Sequence, residues 1–354
     1  MRRPWLSLPA ALAALLVIAA PALACGGLIG PNGAVNLLRT TTFAGYHDGV
    51  EHYVTAFEFA GGGGAFGSIT PLPDIPSKVE RGGDWTLQRL VLETQPADFR
   101  LFEAAALAGG ESAEAEVLLE TTVDALDITI LRGGGDEVGL WAKNHGFRLP
   151  PDAPEVLDFY ADRSPIFMAA AFDADRAAEL GQAVGDGTPI HLTIPTDNPW
   201  VPLRILALGK AAAETVQADV YLLTDDRPAL LPKAGVAFGE SAGLILDHSA
   251  AATEALLADL RSDAGMEWVP DEAWLTKVVV DASADELNFD LAIDASGAGK
   301  PSAQDAGFAP FGPMTPPRAP VALFLAAAAV LVIALPLWVT RTARSSGPPP
   351  WAGA

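Results

Sequence analysis

Short runs of β-branched and aromatic residues recur along the middle of this chain, separated by glycine, proline and aspartate. The runs 35–42 and 50–59 flank the segment GYHDG, which predicts two strands joined by a turn. In the second run His52, Val54, Ala56 and Glu58 alternate with Tyr53, Thr55, Phe57 and Phe59, so one face is aromatic. Gly61 to Gly64 breaks the pattern, which resumes over 65–72 until Pro71, Pro73 and Pro76 end it. Residues 117–123 and 126–132 read as a strand pair. Further strands are predicted over 166–172, 190–194, 203–208, 216–223, 275–280 and 287–293.

Helical spacing is rarer. Asp84 is placed to cap a short helix carrying Leu87, Leu90 and Val91, and Asp98 another that runs to Ala108 and closes at Gly109. Residues 136–145 read as a helix ended by Gly146, and 153–161 as a second. Residues 253–262 are amphipathic, with Leu256, Leu257 and Leu260 on one face. Strands outnumber helices and short turns join most neighbours. The expected class is therefore α+β, mainly antiparallel strands with several short helices, rather than a doubly wound sheet. This domain spans 25–295, with a candidate sub-domain break near 132–165, where two helices interrupt the strands.

The two ends have a different pattern. Arg2 and Arg3 precede an apolar stretch from Leu6 to Ala20, and Ala22-Leu23-Ala24 is a small-residue cleavage site. Residues 1–24 thus read as a secretory signal peptide. Cys25 follows at once. Ala22 stands where a lipoprotein signal carries a larger aliphatic residue, so ordinary cleavage is preferred to lipidation of Cys25. Near the other end, 321–339 holds 19 residues without a charge. At ~1.5 Å per residue that matches the ~30 Å hydrocarbon layer, which predicts one transmembrane helix. Arg341 and Arg344 follow, so the tail 340–354 is expected in the cytoplasm. The Gly-, Ala- and Pro-rich segment 296–320 reads as a stalk. The expectation is a single-pass type I protein of the cell membrane, with its bulk extracytoplasmic.

Composition narrows the chemistry. Half of the 354 residues are hydrophobic, enough to build a packed core. Acidic residues number 44 against 22 basic, a net charge of −22, which excludes a nucleic-acid partner. The single cysteine excludes a disulfide framework and a cysteine-based zinc site. No cofactor is expected.

The sharpest local motif is Gly239-Glu240-Ser241-Ala242-Gly243, a match to the G-x-S-x-G nucleophile elbow that makes Ser241 a candidate nucleophile. The triad order fails, because His248 is the only histidine after Ser241 and lies seven residues on. Asp173, Asp175 and Glu179 resemble the start of a calcium loop, and Asp225-Asp226 beside Arg227 is a second candidate cation group. In so acidic a chain both groups also read as a solvated face. His47 and His52, with Asp48 and Glu51, flank a turn, but strand alternation does not obviously converge them. His145 reads as a helix-end residue and His191 as a satisfied core or edge group.

Several segments in order resemble a bacterial family, domain of unknown function 2330. They are Ala24-Cys25-Gly26-Gly27, Pro71-Leu72-Pro73, WAKNHGFRLP over 141–150, Pro202-Leu203-Arg204, and WLTKVVVDASADELNFDLAID near the end. The resemblance covers most of 24–295. It implies secreted proteins, often with a C-terminal membrane helix, and supplies no activity or catalytic residue. The family pattern often has a second cysteine soon after the first, and Gly30 occupies that place here. The expected function is a non-enzymatic binding or structural module of the cell envelope, held in the membrane through 321–339. Its partner is an envelope protein, a glycan or a cation. The alternatives are a serine hydrolase using Ser241 and a divalent-cation-binding protein using Asp173, Asp175, Asp225 and Asp226.

Overall fold

Alternation makes β3 (Thr40–His47) and β4 (Val50–Phe57) a hairpin. Its turn is only two residues long, because Asp48 and Gly49 both take positive φ, 51° and 77°, the conformation that matches the twist of the flanking strands. The computed structural model that shows this describes residues 27–30, 33–34, 40–57, 66–94, 117–182, 188–235 and 243–308. The expected signal peptide, Cys25, the Gly61 to Gly64 break, the helix 98–108, Ser241, the apolar run 321–339 and the tail lie outside the described residues.

The architecture is α+β. The hairpin lies inside a seven-stranded sheet in the order β14 (Leu244–Ala251), β15 (Trp274–Ser283), β12 (Thr215–Thr224), β3, β4, β10 (Thr188–Pro195) and β6 (Lys78–Arg81). All its pairs are antiparallel except β3 with β12. A six-stranded antiparallel sheet runs β2 (Gly33–Ala34), β1 (Gly27–Gly30), β5 (Gly67–Leu72), β9 (Ile166–Phe172), β8 (Leu126–Arg132) and β7 (Val117–Val123). A small third sheet joins β11 (Trp200–Val201), β16 (Leu291–Asp294) and β13 (Ala229–Leu231).

One apolar core joins the two large sheets. Ala44, Tyr53, Ile190, Leu192, Val220 and Val278 of the larger share it with Ile69, Ile128, Ile130, Phe167 and Met168 of the smaller. Helices α2 (Gly135–Asn144) and α3 (Ala153–Ala161) add Val138, Trp141, Leu157 and Tyr160 to it. The segment 132–165 therefore packs within the same core. The other face of the larger sheet is buried too. Phe43, Val54, Tyr221 and Leu275 meet Leu87 and Leu90 of α1 (Thr86–Thr94) and Leu256, Leu257 and Leu260 of α5 (Glu254–Ser262). Period-2 alternation in β3, β4 and β12 thus separates two apolar faces rather than an apolar face from a wet one.

Caps and turns depart from local expectation where a distant carboxylate takes over. Asp84 does not cap α1; its side chain pairs with Arg81. Asp263 does the capping from across the sequence, accepting hydrogen bonds from Asp84 N at 3.0 Å, Trp85 N at 3.1 Å and Thr86 Oγ1 at 2.7 Å. The predicted strand 203–208 is a 3-10 turn over Arg204–Ala207, because the amides of Leu203 and Arg204 are drawn to Asp290. For the same reason the strand predicted over 287–293 starts only at Leu291. The strands β1, β2, β6, β11, β13 and β14 and the short helix α4 (Ala174–Leu180) went unanticipated. Of the expected stalk, residues 296–308 are folded against the domain, with Ala306 fully buried.

Gly45 is required by packing. A Cβ there would lie 2.0 Å from Cη2 of Trp268, whose ring lies flat on His52 at 3.8 Å. Gly45→Val is expected to displace that indole and cost ~1–3 kcal/mol, the usual range for overpacking. The check is a urea unfolding curve; an unchanged midpoint would show that the indole is not held there.

Candidate functional site

The most concentrated polar cluster surrounds Asp290, in the turn before β16. Its side chain has no solvent exposure. Oδ1 accepts from Tyr160 Oη at 2.8 Å, Leu203 N at 2.7 Å and Arg204 N at 3.0 Å, and Oδ2 accepts from Arg163 Nη2. Tyr160 Oη accepts in turn from Ile205 N at 2.9 Å. The Arg163 guanidinium lies over the rings of Phe159, Tyr160 and Trp200 at 4.2, 5.0 and 5.1 Å. Burial pushes the Asp290 carboxyl upward, against the pull of Arg163 and the donated bonds. Tyr160 is raised well above its ordinary value, first by burial and then by Asp290. Each of these groups joins one element of the fold to another, so the cluster is a structural hub.

A second cluster lies on the outer face of the larger sheet. The register pairs His191 with Val54 and Thr193 with His52, which puts the two imidazoles on neighbouring positions of one face. His52 Nδ1 and His191 Nε2 are 3.0 Å apart, and His191 Nδ1 is 3.7 Å from Glu80 Oε1. Burial lowers His52 to about 3, with His191 and His47 adding to the effect. Burial also lowers His191 to about 4, opposed by Glu80. Alternation placed His52 on this face, but its partner stands 139 residues away, a distance no sequence spacing encodes.

Glu51 is the third. It is fully buried, opposite Tyr46 and Ile194, and neither carboxyl oxygen has a hydrogen-bond partner. Burial raises it to about 8, partly offset by the nearby Trp200 amide.

The candidates from sequence are dispersed. Ser241 lies outside the described residues, and the first strand described after it is β14, from Leu244, where a nucleophile elbow is followed by a helix. His248 sits on that strand opposite Lys277. Asp173 caps α4 through Arg176 N at 2.6 Å and pairs with the Arg176 guanidinium, which also grips Asp127 through both carboxyl oxygens. Asp175 is in the first turn of α4. Asp225 bonds His47 Nδ1 at 2.7 Å, and the Asp226 carbonyl accepts from Thr224 Oγ1. The two aspartate groups therefore belong to different parts of the fold. Among the described residues no three His, Cys, Asp or Glu side chains gather as a metal site. His145 closes back on Trp141 O at 2.9 Å, as expected for a helix end.

Comparison with known proteins gives a family. The model of an uncharacterized protein family conserved in bacteria, DUF2330, matches residues 19–293. No curated protein matches. Among solved structures, a mutated baculovirus P35 after caspase cleavage aligns with 10% identity and a TM-score of 0.41, covering 72% of this chain and 98% of that one. Baculovirus P35 itself aligns with 10% identity and a TM-score of 0.39, covering 73% and 96%. Neither likeness carries an argument about this chain.

The buried groups set opposite pH limits. Glu51 binds a proton in the folded chain up to about pH 8, whereas the unfolded chain releases it near 4.5. Its contribution is full below pH 4.5 and is lost as pH rises toward 8. The histidines run the other way: unfolded imidazoles protonate near 6.5, so stability falls as pH drops from 6.5 toward 4. Glu51→Gln should flatten the alkaline limb of unfolding free energy against pH and leave the acid limb. The slope is the readout because the amide is also buried. Equal alkaline slopes in both proteins would place that loss elsewhere.

Proposed function

The chain belongs to the bacterial DUF2330 family, and we propose that it is a membrane-anchored, extracytoplasmic structural or binding module of the cell envelope rather than an enzyme. One observation carries the non-enzymatic part. Three carboxylates are engaged in holding elements together: Asp290 by four donors, Asp263 by four, and Asp173 by its helix and Arg176. A catalytic carboxylate needs a proton-transfer site that substrate can reach, and these three have their oxygens turned to the fold.

The location rests on the chain's ends. The signal-like segment 1–24 and the uncharged run 321–339, followed by Arg341 and Arg344, support a type I orientation. The acidic surface fits a partner that is cationic or neutral, such as a basic envelope protein or a glycan, and disfavours anionic polymers. No helix of the described residues is long and apolar enough to cross a membrane; the anchored reading rests on the uncharged run 321–339 of the sequence.

Two measurements test this reading. A reporter active only in the cytoplasm is expected to work when fused after Ala354 and to be silent when fused after Phe308; the reverse pattern rejects the orientation. A serine-directed fluorophosphonate is expected to leave the chain unlabelled, and Ser241→Ala to leave its melting unchanged. Labelling that Ser241→Ala abolishes would make the chain a serine hydrolase.

A further inference from the structure

We propose that residues 300–308 form a releasable clasp that sets the length of the tether between the domain and its anchor. The inference rests on the membrane-anchored reading. The segment leaves β16 through a bend in which Asp294 accepts from Ser296 N, Ser296 Oγ and Lys300 N. Gly297 and Gly299 take φ of 69° and 82° in that bend, a conformation that favours glycine. Beyond it the chain folds on itself, through Ala306 N to Ser302 O, Gly307 N to Gln304 O and Phe308 N to Ala303 O.

The clasp's grip on the domain is narrow. Asp290 N donates to Ala306 O at 3.0 Å, and Arg163 Nη1 donates to Asp305 O. Ala306 is the one fully buried side chain of the segment; Phe308 lies 6.2 Å from the Phe289 ring and stays partly exposed. Gly307 wedges between Phe159 and Arg163, where a Cβ would stand 2.2 Å from Phe159 Cζ. The first half of the clasp does not pack closely. A polar cleft of about 140 Å³ lies where Lys300, Pro301, Ser302 and Asp305 face Tyr46 and Asp197.

What lies beneath the clasp stands without it. Asp290 keeps Arg163 Nη2, Tyr160 and two backbone donors, and Arg163 keeps its three rings. Release therefore strands no buried charge, and Ala306 is the one clasp side chain that leaves a fully buried position. Segments with few buried apolar contacts open at a fraction of the global unfolding cost. With the clasp docked, 12 residues (309–320) separate the domain from the apolar run; with it released, 21 (300–320) do.

Hydrogen exchange on the full-length chain in detergent, wild type and Gly307→Val, tests this. In the wild type the amides of Asp290, Ala306, Gly307 and Phe308 are expected to exchange at least about tenfold faster than those of Tyr221 and Val278 in the central strands. Gly307→Val is expected to accelerate the clasp amides by roughly a further tenfold and to leave the central strands unchanged. Clasp amides that exchange at the central-strand rate in the wild type overturn the proposal, whether or not the variant folds. So does acceleration spread equally over both regions. Exchange is read independently of orientation, so a silent reporter after Ala354 rejects the anchored reading, whereas exchange at the core rate rejects the clasp.

Discussion

A buried charge is tolerable only when it is paired and hydrogen-bonded, and the Asp290 carboxylate meets that demand with donors from two other stretches of chain. Arg163 and Tyr160 come to it from the end of α3, the amides of Leu203 and Arg204 from the turn after β11, and its own backbone from the approach to β16. The Asp290 amide then bonds Ala306 and extends the hub to the C-terminal segment. Removing one partner from such a group leaves an uncompensated buried charge, which costs far more than a surface ion pair. Arg163 suits the position because a planar guanidinium can stack on Phe159, Tyr160 and Trp200 while it donates at its edge.

The larger sheet shows the same logic in apolar form. Both faces of β3, β4 and β12 are covered, one by the smaller sheet and one by α1 and α5. Polar residues on these strands are therefore enclosed rather than solvated. His52 answers His191 of the neighbouring β10, and Glu51 is held as a neutral acid below about pH 8. A chain with one cysteine and twice as many acids as bases thus draws its cohesion from a double-sided core and a few saturated carboxylates.

Local patterns were legible where local physics decides. The β7–β8 pair, α2 with its Gly146 stop, α3 and α5 follow from alternation, spacing and end residues. Elements that answer to distant groups were not. Leu203 to Leu208 alternates like a strand, but two amides turn toward Asp290, 86 and 87 residues away. Asp84 has the chemistry of a cap, yet Asp263 occupies that role from the far side of the sequence and leaves Asp84 to Arg81. β14 was hidden because Asp247, His248 and Ser249 dilute its apolar pattern next to a motif that suggests a different element. Of the candidate functional residues, Asp173 and Asp225 were visible as acids, but their engagement with Arg176 and His47 depends on register.

The dependence on Asp290 is open to direct measurement by a double-mutant cycle in unfolding free energy with Asp290→Asn, Arg163→Met and both together. Each single substitution is expected to cost ~3–5 kcal/mol, and the pair to cost at least about 1 kcal/mol less than their sum, because each residue's loss already strands the other. Single costs below about 1 kcal/mol, or strict additivity, would contradict the hub as the structure's organising contact.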